Sequence, residues 1–205
     1  MPDFRLEEAC QGSVAGVDEA GRGPLAGPVV AAAVCFCGRA LPRAARRMIN
    51  DSKKLSASGR NEAFEVIHEF GVLGIGEASV AEIDRLNILQ ATMKAMQRAV
   101  DNLDLRPDIV LVDGNRTPEM PIDCRAVVKG DSISLSIAAA SIIAKVTRDR
   151  IMTRLAVDFS AYGWDRNAGY GVPDHIAALE TYGPTPHHRR SFAPVRNTFS
   201  DEIRK

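Results

Sequence analysis

Four acidic residues stand where the sequence predicts strand ends and a helix start. They are Asp18 and Glu19 after the apolar segment 14–17, Asp113 after the apolar run 109–112, and Asp131 before a long helical segment. In a layered α/β protein such positions lie at one edge of the sheet, so distant segments can bring carboxylates together. Clustered carboxylates repel each other and need a cation, and oxygen ligands favour Mg²⁺ or Mn²⁺. Two such ions could activate water and stabilise the leaving oxygen of a phosphodiester.

Each acid also has a local interpretation, which the pattern alone leaves open. Asp131 is typical of a helix N-cap, Asp113 of a turn, and Asp18 with Glu19 of a solvated strand end. Strand geometry adds a constraint, because adjacent residues on a regular strand point to opposite faces. Asp18 and Glu19 can therefore both face one metal only if the backbone kinks between them.

The hydrophobic pattern predicts the elements that must position these acids. A Val-rich run at 29–36 is typical of a strand covered on both faces, and Ser79 with Glu82 forms a capping box. Strands are predicted at 14–18, 29–36, 72–78, 109–112 and 124–128. Helices are predicted at 56–70, from the Ser79 capping box to Val100, at about 132–157, and after Pro173. Together these elements predict an α/β layered fold whose first strands follow one another directly, as in hairpins.

Composition indicates one globular domain. The chain has 205 residues, 45% apolar and 25% charged, so we predict a single domain over 1–205, with about 160–205 as an appendage packed on it. Twenty-six basic and 26 acidic residues give a net charge of zero, which excludes a histone-like protein and an acidic disordered tail. Nucleic-acid binding is not excluded, because local patches of basic residues matter more for it than the net charge of the chain.

Location and redox state are expected to be those of a soluble cytoplasmic protein. The longest apolar run, 29–37, is too short to span a bilayer, and no secretory signal is visible. No membrane partner is therefore expected. The four cysteines show no paired metal spacing, and Cys35-Phe-Cys37 is interpreted as strand filler.

Motifs in order along the chain carry a family resemblance. They are Val17-Asp-Glu-Ala-Gly-Arg-Gly-Pro-Leu-Ala-Gly-Pro-Val29, Asn50-Asp-Ser-Lys-Lys-Leu-Ser56, Glu82-Ile-Asp84, Val112-Asp-Gly-Asn115, Lys129-Gly-Asp131, the segment 137–149, Gly169-Tyr-Gly171, His175, and His188-Arg-Arg-Ser-Phe192. Any one of these motifs alone would be weak evidence, but the set is strong because its members occur in order over about residues 14 to 195. The chain thus resembles bacterial type 2 ribonuclease H, the ribonuclease HII family.

The resemblance implies a fold, an activity and a set of site residues. The fold would be ribonuclease H-like, a mixed central sheet flanked by helices, with a small C-terminal helical and loop region. The activity would be endonucleolytic, cutting the RNA strand of RNA–DNA hybrids and single ribonucleotides embedded in duplex DNA, and leaving 5′-phosphate and 3′-hydroxyl ends. The family uses Mn²⁺ or Mg²⁺, with two ions expected beside substrate. Its four acidic positions match Asp18, Glu19, Asp113 and Asp131.

The resemblance also implies nucleic-acid contacts. Gly21-Arg22-Gly23 matches a loop that reads the junction between a ribonucleotide and the following DNA, and Tyr170 matches a tyrosine that packs against the sugar there. Physically, glycine lets the backbone approach a ribose 2′-hydroxyl, and Arg22 can contact a phosphate. A plain tight turn and a half-buried turn aromatic are the alternatives. Ser52 and Lys53 are further candidates for phosphate contact.

Basic residues outside these motifs fall in two stretches with few acids. The first comprises Arg39, Arg43, Arg46, Arg47, Lys53, Lys54 and Arg60, with Asp51 as its only acid, and the second His187, His188, Arg189, Arg190 and Arg196. Such stretches could contact phosphates, although solvated surface is the default interpretation of each. His175 and His188 are ambiguous, since either could deliver a proton to a leaving oxygen. Both are expected instead to be structural, hydrogen bonded and partly buried. Val172 stands where the family commonly has Thr.

Two rival functions are weighed against this hypothesis. The type 3 relatives carry an extra N-terminal domain and a different glycine loop, whereas only about 13 residues precede the first predicted strand. A non-catalytic hybrid-binding module with the same fold is the second rival, and the presence of all four acids argues against it. The chain is expected to act as a monomer.

Overall fold

The structure, a computed structural model, describes residues 1–37 and 41–202. Its strands are β1 Val14–Ala20, β2 Val29–Cys35, β3 Val72–Ala78, β4 Ile109–Asp113 and β5 Asp123–Val127. Its helices are α1 Arg5–Glu8, α2 Arg43–Met48, α3 Ala57–Phe70, α4 Val80–Leu86, α5 Ile88–Asp101, α6 Leu135–Asp158, α7 Trp164–Asn167, α8 Pro173–Tyr182 and α9 Ala193–Glu202. Short 3₁₀ turns lie at Gly130–Ser132 and Ser160–Tyr162.

The five strands form one mixed sheet in the order β3-β2-β1-β4-β5. The first three strands are antiparallel neighbours, and β4 and β5 join parallel to β1. The β1–β2 ladder extends to Ala20, whereas the β1–β4 ladder ends at Val17 opposite Val112. The carboxyl ends of β1 and β4 are therefore neighbours at one edge of the sheet.

Two apolar layers cover the sheet. One contains α4 and α5, where Ala15, Val17 and Met96 belong to a common buried cluster. The other contains α2, α3 and α6, packed on Ala32 and Val34. Every residue of β2 is buried, because this strand has helices on both faces, and its continuous Val- and Ala-rich sequence matches that position.

The predicted elements are confirmed with small shifts in their ends, and one predicted helix is divided. The capping box of Ser79 and Glu82 starts α4, but α4 ends at Leu86 and α5 begins at Ile88. Asn87 separates them with a positive φ of 70°, and its side-chain oxygen accepts the N–H groups of Leu89 and Gln90. Asn tolerates this conformation and caps helices well, so it ends one helix and starts the next.

The long helix α6 begins later than predicted because a 3₁₀ turn precedes it. Ser134 is the N-cap of α6, and the carboxylate of Glu7 accepts hydrogen bonds from the hydroxyls of Ser134 and Ser136 and from the Ser136 N–H. Asp3 exchanges backbone hydrogen bonds with Ile133 and Leu135. The N-terminal segment thereby satisfies the free N–H groups that every helix start exposes.

The segment after α6 packs on the loop that follows β1. The Leu25 N–H donates to the Gly169 carbonyl, the Gly27 N–H to the His187 carbonyl, and the Arg189 N–H to the Leu25 carbonyl. Its residues Tyr162, Trp164 and Ala178 share a small core with Ala26 of that loop and Met152 of α6. The description of 160–205 as an appendage of a single domain stays a prediction. None of the helices in the described ranges has the length and apolar character needed to cross a membrane.

One sequence interpretation needs correction. Cys35 is buried at the end of β2, as strand filler would be, but a disulfide joins it to Cys37, with the Cα atoms 5.5 Å apart. Cys10 and Cys124 are free. Arg39, assigned to the first basic stretch, lies outside the described residues.

Close contact between β1 and α6 depends on Gly16. A Cβ atom there would overlap the carbonyl carbon of Ser136 and the backbone nitrogen of Ile137. We predict that Gly16→Ala lowers the free energy of unfolding by about 1–3 kcal/mol, the usual cost of overpacking a core. Urea denaturation measures this change. Gly59→Ala is the control, since its Cβ would lie 3.3 Å from the Ser56 hydroxyl and would overlap no backbone atom. An equal loss in both variants would contradict the prediction.

Candidate active site

A cleft of about 350 Å³ opens beside the end of β1. It is lined by eight residues singled out from the sequence and by four others. The eight are Asp18, Glu19, Gly21, Arg22, Gly23, Ser52, Lys53 and Tyr170, and the four are Ala20, Ser141, Lys145 and Arg148. The fold therefore brings eight predicted site residues together from β1, the glycine loop, the loop before α3 and the segment after α7, whereas Asp113 and Asp131 do not line this cleft.

Asp18 and Glu19 leave β1 on opposite faces. Asp18 shares a face with Gly16, which packs on α6, whereas Glu19 shares a face with Val17, which packs on α5. Both residues stay in regular register with β2, so the backbone does not kink between them. The N–H of Glu19 donates to the Asp18 carboxylate at 2.7 Å. The side chains leave the strand on opposite faces, but both line the cleft, and their carboxyl groups are close enough to interact.

Asp113 and Asp131 approach the same edge from β4 and from the turn before α6. A smaller hollow of about 210 Å³ is lined by Asp113 together with Glu19 and Arg22. The Asp113 carboxylate accepts the Gly130 N–H at 2.7 Å, which links the end of β4 to the turn that holds Asp131. Asp131 is 8% exposed, and its carboxylate lies 3.9 Å from the Lys53 ammonium.

The carboxylates destabilise one another's charged forms. Burial, with repulsion from Glu19 and Asp113, raises the pKa of Asp18 well above its usual range, and hydrogen bonds from Glu19 and Ser141 oppose this only in part. Burial also raises the pKa of Glu19, although Arg22 acts against it. For Asp131, burial and repulsion from Asp113 raise the pKa. The edge of the sheet therefore holds more negative charge than its surroundings stabilise.

Two cations supply part of the missing compensation. The Arg22 guanidinium lies 3.2 Å from the Glu19 carboxylate. Burial lowers the pKa of Lys53, but attraction to Asp131 and Asp18 outweighs it and raises this pKa above its ordinary value. Both side chains are at least half exposed, so solvent screens these attractions.

The donor set fits a divalent cation. Buried, mutually repelling carboxylates are oxygen ligands whose repulsion a doubly charged ion would relieve, and Mg²⁺ and Mn²⁺ prefer such ligands. As the side chains stand, no three His, Cys, Asp or Glu residues in the described ranges are grouped closely enough to hold an ion. A common metal site for all four acids stays a prediction.

Two buried arginines hold the glycine loop. Arg148, 1% exposed, donates to the carbonyls of Ala26, Pro28 and Ala168. Arg189, fully buried, donates to the carbonyls of Gly21, Arg22, Gly27 and Pro28. Burial, with repulsion from Arg148, lowers the pKa of Arg189. The two guanidinium groups fix the backbone path from residue 21 to residue 28.

Gly21 is required where the loop turns over Arg148. Its φ of +96° is a conformation that side-chain-bearing residues rarely adopt, and a Cβ atom there would overlap the Arg148 guanidinium. Gly23 is different, because a Cβ atom there would lie 3.5 Å from the Tyr170 ring, an ordinary contact. The loop is therefore more than a plain tight turn, since it closes around a buried cation.

The structure corrects the interpretation of the basic stretches. Arg189 and His188 are buried, so they cannot contact phosphates from the surface. In the first stretch, Arg60 donates to the carbonyls of Ser52 and Leu55, and Arg46 donates to the Leu41 carbonyl. Lys53 is the member of that stretch that lines the cleft.

Three residues that line the cleft, Ser141, Lys145 and Arg148, were not predicted as site residues. Their spacing of four and three residues places them on one face of α6 toward the cleft. The Ser141 hydroxyl hydrogen bonds to Ser52 at 2.8 Å, joining α6 to the loop before α3. A polar row at helical spacing, whose first member Ser141 interrupts the apolar run 137–144, was the signal available in the sequence.

The two histidines are hydrogen bonded, as expected, and more completely buried than expected. His175 is fully buried and His188 is 1% exposed, and their Nε2 atoms lie 3.0 Å apart. Neither lines the cleft beside the acids.

Comparison with known proteins identifies the family. The family model described as Ribonuclease HII matches residues 15–195. The chain belongs to the ribonuclease HII family. A Ribonuclease HII of Rhodospirillum rubrum is 60% identical over 98% of this chain and 93% of its own length. One of Gluconobacter oxydans is 55% identical over 98% of both chains.

A solved structure confirms the fold. The crystal structure of ribonuclease H2 from Pyrococcus horikoshii superposes with a TM-score of 0.77 at 28% identity, over 94% of this chain and 99% of that one. The ribonuclease H-like fold, with a mixed sheet flanked by helices, is therefore established. As a member of the ribonuclease HII family, the chain is a metal-dependent ribonuclease that hydrolyses the RNA strand of RNA–DNA hybrids.

Repulsion among the carboxylates predicts that Asp18→Asn stabilises the metal-free protein. A carboxyl whose pKa is raised by folding lowers stability as the pH rises from its unfolded pKa through its folded pKa. Asn removes the charge and keeps an oxygen for the Glu19 N–H. In EDTA at pH 7 the variant should melt higher, by about 2–4 °C for each kcal/mol gained, and its advantage should shrink on acidification. Mg²⁺ should raise the melting temperature of the wild type more than that of the variant.

Exposed Asp104 provides the control for this experiment. Asp104→Asn should leave the melting temperature unchanged with and without metal. An Asp18→Asn protein that melts at or below the wild type in EDTA at pH 7 would show that repulsion at the sheet edge is already compensated.

Proposed function

We propose that this ribonuclease also cuts at single ribonucleotides embedded in duplex DNA, and that Asp18, Glu19, Asp113 and Asp131 hold Mn²⁺ or Mg²⁺. Two ions would be present when substrate is bound, and the products would carry 5′-phosphate and 3′-hydroxyl ends. The observation that carries this proposal is the meeting of buried, mutually repelling carboxylates with the glycine loop and Tyr170 around one cleft. Catalytic and recognition groups are then within reach of the same phosphodiester.

Bound ions would supply Lewis acidity, activating water and stabilising the leaving oxygen. The protein supplies the ligands and fixes where they lie. Asp113 accepts the Gly130 N–H, which couples the end of β4 to Asp131. Asp18 is held by the Glu19 N–H. Lys53 balances the charge of Asp131 while substrate is absent and is free to contact a phosphate when the acids gain another cation.

Recognition would come from the backbone of Gly21, Arg22 and Gly23 and from the ring of Tyr170. The buried arginines fix the loop, so its polar groups are already in place when a ribose arrives. A fixed backbone group can hydrogen bond a 2′-hydroxyl, the group that distinguishes RNA from DNA. Tyr170 is 45% exposed beside Gly23, where its ring is available to a sugar. Ser52 and Lys53 would contact the phosphate backbone.

The partners and setting follow from this activity. The proposed ligands are RNA–DNA hybrids and ribonucleotide-containing duplex DNA, bound by a monomer in the cytoplasm. The family assignment favours this enzyme over a hybrid-binding module without turnover. Cleavage of a duplex with one ribonucleotide, with and without EDTA, tests the proposal. Absence of cutting in Mg²⁺ and in Mn²⁺ would refute it.

Asp113→Asn should separate chemistry from binding. The amide keeps an oxygen for the Gly130 N–H but removes a charge that the metal requires. We expect cleavage to fall by more than about 100-fold, since even outer-shell partners of metal ligands are worth about 10–100-fold. Hybrid binding should survive, because phosphate contacts supply most of the affinity. Binding and cleavage are both measured on one duplex, and the control is Asp123→Asn at an exposed position. Near wild-type cutting by the Asp113 variant would rule out the metal assignment.

Tyr170→Ala should impair recognition instead. Cleavage at a single ribonucleotide should weaken by about 10-fold or more, the scale of losing a base- or sugar-stacking aromatic. Stabilisation by Mg²⁺ should stay as in the wild type, because Tyr170 touches no metal ligand. Tyr182→Ala, which removes an exposed ring of α8, is the matched control. Loss of the Mg²⁺ effect in Tyr170→Ala would make Tyr170 a structural residue.

A further inference from the structure

A chain of hydrogen bonds runs behind Tyr170 through two buried histidines. His175 Nδ1 lies 2.9 Å from the Tyr170 carbonyl oxygen. His175 Nε2 lies 3.1 Å from the indole nitrogen of Trp164 and 3.0 Å from His188 Nε2. His188 Nδ1 lies 2.9 Å from the Thr185 backbone nitrogen. Apart from Tyr170, none of these residues has a role in the site described above.

The partners at the two ends assign every proton in this chain. The Tyr170 carbonyl can only accept, so His175 Nδ1 carries a proton. The Trp164 indole can only donate, so His175 Nε2 is unprotonated and accepts. The Thr185 N–H can only donate, so His188 Nδ1 accepts, and its Nε2 carries the proton that points to His175. Both rings are therefore neutral and each has one defined tautomer.

Burial favours the same state. Burial lowers the pKa of His175, and burial with repulsion from His175 lowers the pKa of His188 to about 3. A second proton on either ring would place two donors against each other. Burial and the hydrogen-bond partners thus favour the same direction for the His175 Nδ1–H bond.

We propose that His175 is a positioning residue for Tyr170. The inference rests on the recognition role proposed for Tyr170. The Nδ1–H bond to the Tyr170 carbonyl sets the backbone from which the ring reaches the cleft, and thereby sets selectivity for a single ribonucleotide over a continuous hybrid. His175 acts through Tyr170 and does not touch the substrate.

The ring projects into the open cleft near Arg148 and Arg189, so the backbone that carries it determines where it lies. It is 45% exposed, and a Cβ atom on Gly23 would be 3.5 Å from it. Its backbone is tied instead: the Tyr170 N–H donates to the Asn167 carbonyl, and the Tyr170 carbonyl accepts the Val172 N–H as well as the imidazole. The neighbouring Gly169 carbonyl accepts the Leu25 N–H, which links this backbone to the glycine loop. A shift at Tyr170 would change the ring's distance from that loop.

Two substitutions divide the functions of the imidazole. His175→Asn keeps a donor near the Nδ1 position for the Tyr170 carbonyl. His175→Gln keeps an acceptor near the Nε2 position for Trp164 and His188 but loses that donor. The readout is the ratio of kcat/KM on a duplex with one ribonucleotide to kcat/KM on a continuous hybrid. We expect the ratio to fall about three- to tenfold in His175→Gln, the range for one hydrogen bond, and to stay near wild type in His175→Asn.

A double-mutant cycle separates positioning from general stability. In the Tyr170→Ala background, His175→Gln should leave the ratio unchanged, because no ring remains to be positioned. A merely structural role would move both substrates alike and leave the ratio unchanged in both backgrounds, which would overturn the inference. An equal fall of the ratio in both backgrounds would overturn it too. If Tyr170→Ala itself leaves the ratio unchanged, the recognition role fails and the inference falls with it.

The tautomers can be measured in the unmodified enzyme, whatever the folding of the variants. Long-range ¹H–¹⁵N correlation spectra of the imidazoles should show His175 protonated at Nδ1 and His188 at Nε2 at pH 7. A proton on Nε2 of His175 would leave no donor for the Tyr170 carbonyl and would overturn the inference.

Discussion

The structure of the cleft depends on two buried guanidinium groups whose partners are backbone carbonyls. Charges taken out of water are costly unless their hydrogen bonds are satisfied. Arg148 and Arg189 meet this condition with carbonyls of residues 21–28 and of Ala168, so the loop and the cations stabilise each other. The loop cannot relax without leaving a buried charge unsatisfied. This rigidity keeps the backbone of the glycine loop fixed beside the acids while Arg22 and Tyr170 remain accessible.

The acids differ from the two buried arginines, because the groups around them provide too little positive charge to stabilise their carboxylates. Burial and mutual repulsion disfavour the charged forms of Asp18, Glu19 and Asp131, and exposed Lys53 and Arg22 compensate only in part. Sites that bind metal commonly sacrifice stability in this way. The buried cations lie under the glycine loop instead of between the carboxylates. The molecule thus keeps a rigid recognition surface next to a charged edge that a divalent cation completes.

Much of this arrangement could be predicted from the sequence, because strands and caps depend on local patterns. The Ser79 capping box and the apolar runs of β2 and β4 all specify structure within a few residues. Side-chain environment depends on distant segments and was harder to predict. Arg189 sits in a stretch that resembles a solvated basic patch, and only the packing of residues 187–189 against the glycine loop buries it. Asn87 divides a helix whose apolar pattern is unbroken, because its capping geometry outweighs that pattern.

The sequence separation of these contacts has a consequence for biosynthesis. The Arg189 guanidinium reaches the Pro28 carbonyl across 161 positions. Strands β1 and β2 are neighbours in sequence and can pair early, but the loop between them lacks its anchoring cations, Arg148 and Arg189, until the whole sheet has been translated. Chains fold from the N-terminus as they emerge from the ribosome, and contacts distant in sequence form late. A nascent chain can therefore contain a formed sheet, with its acids in place, before it has a cleft able to recognise nucleic acid.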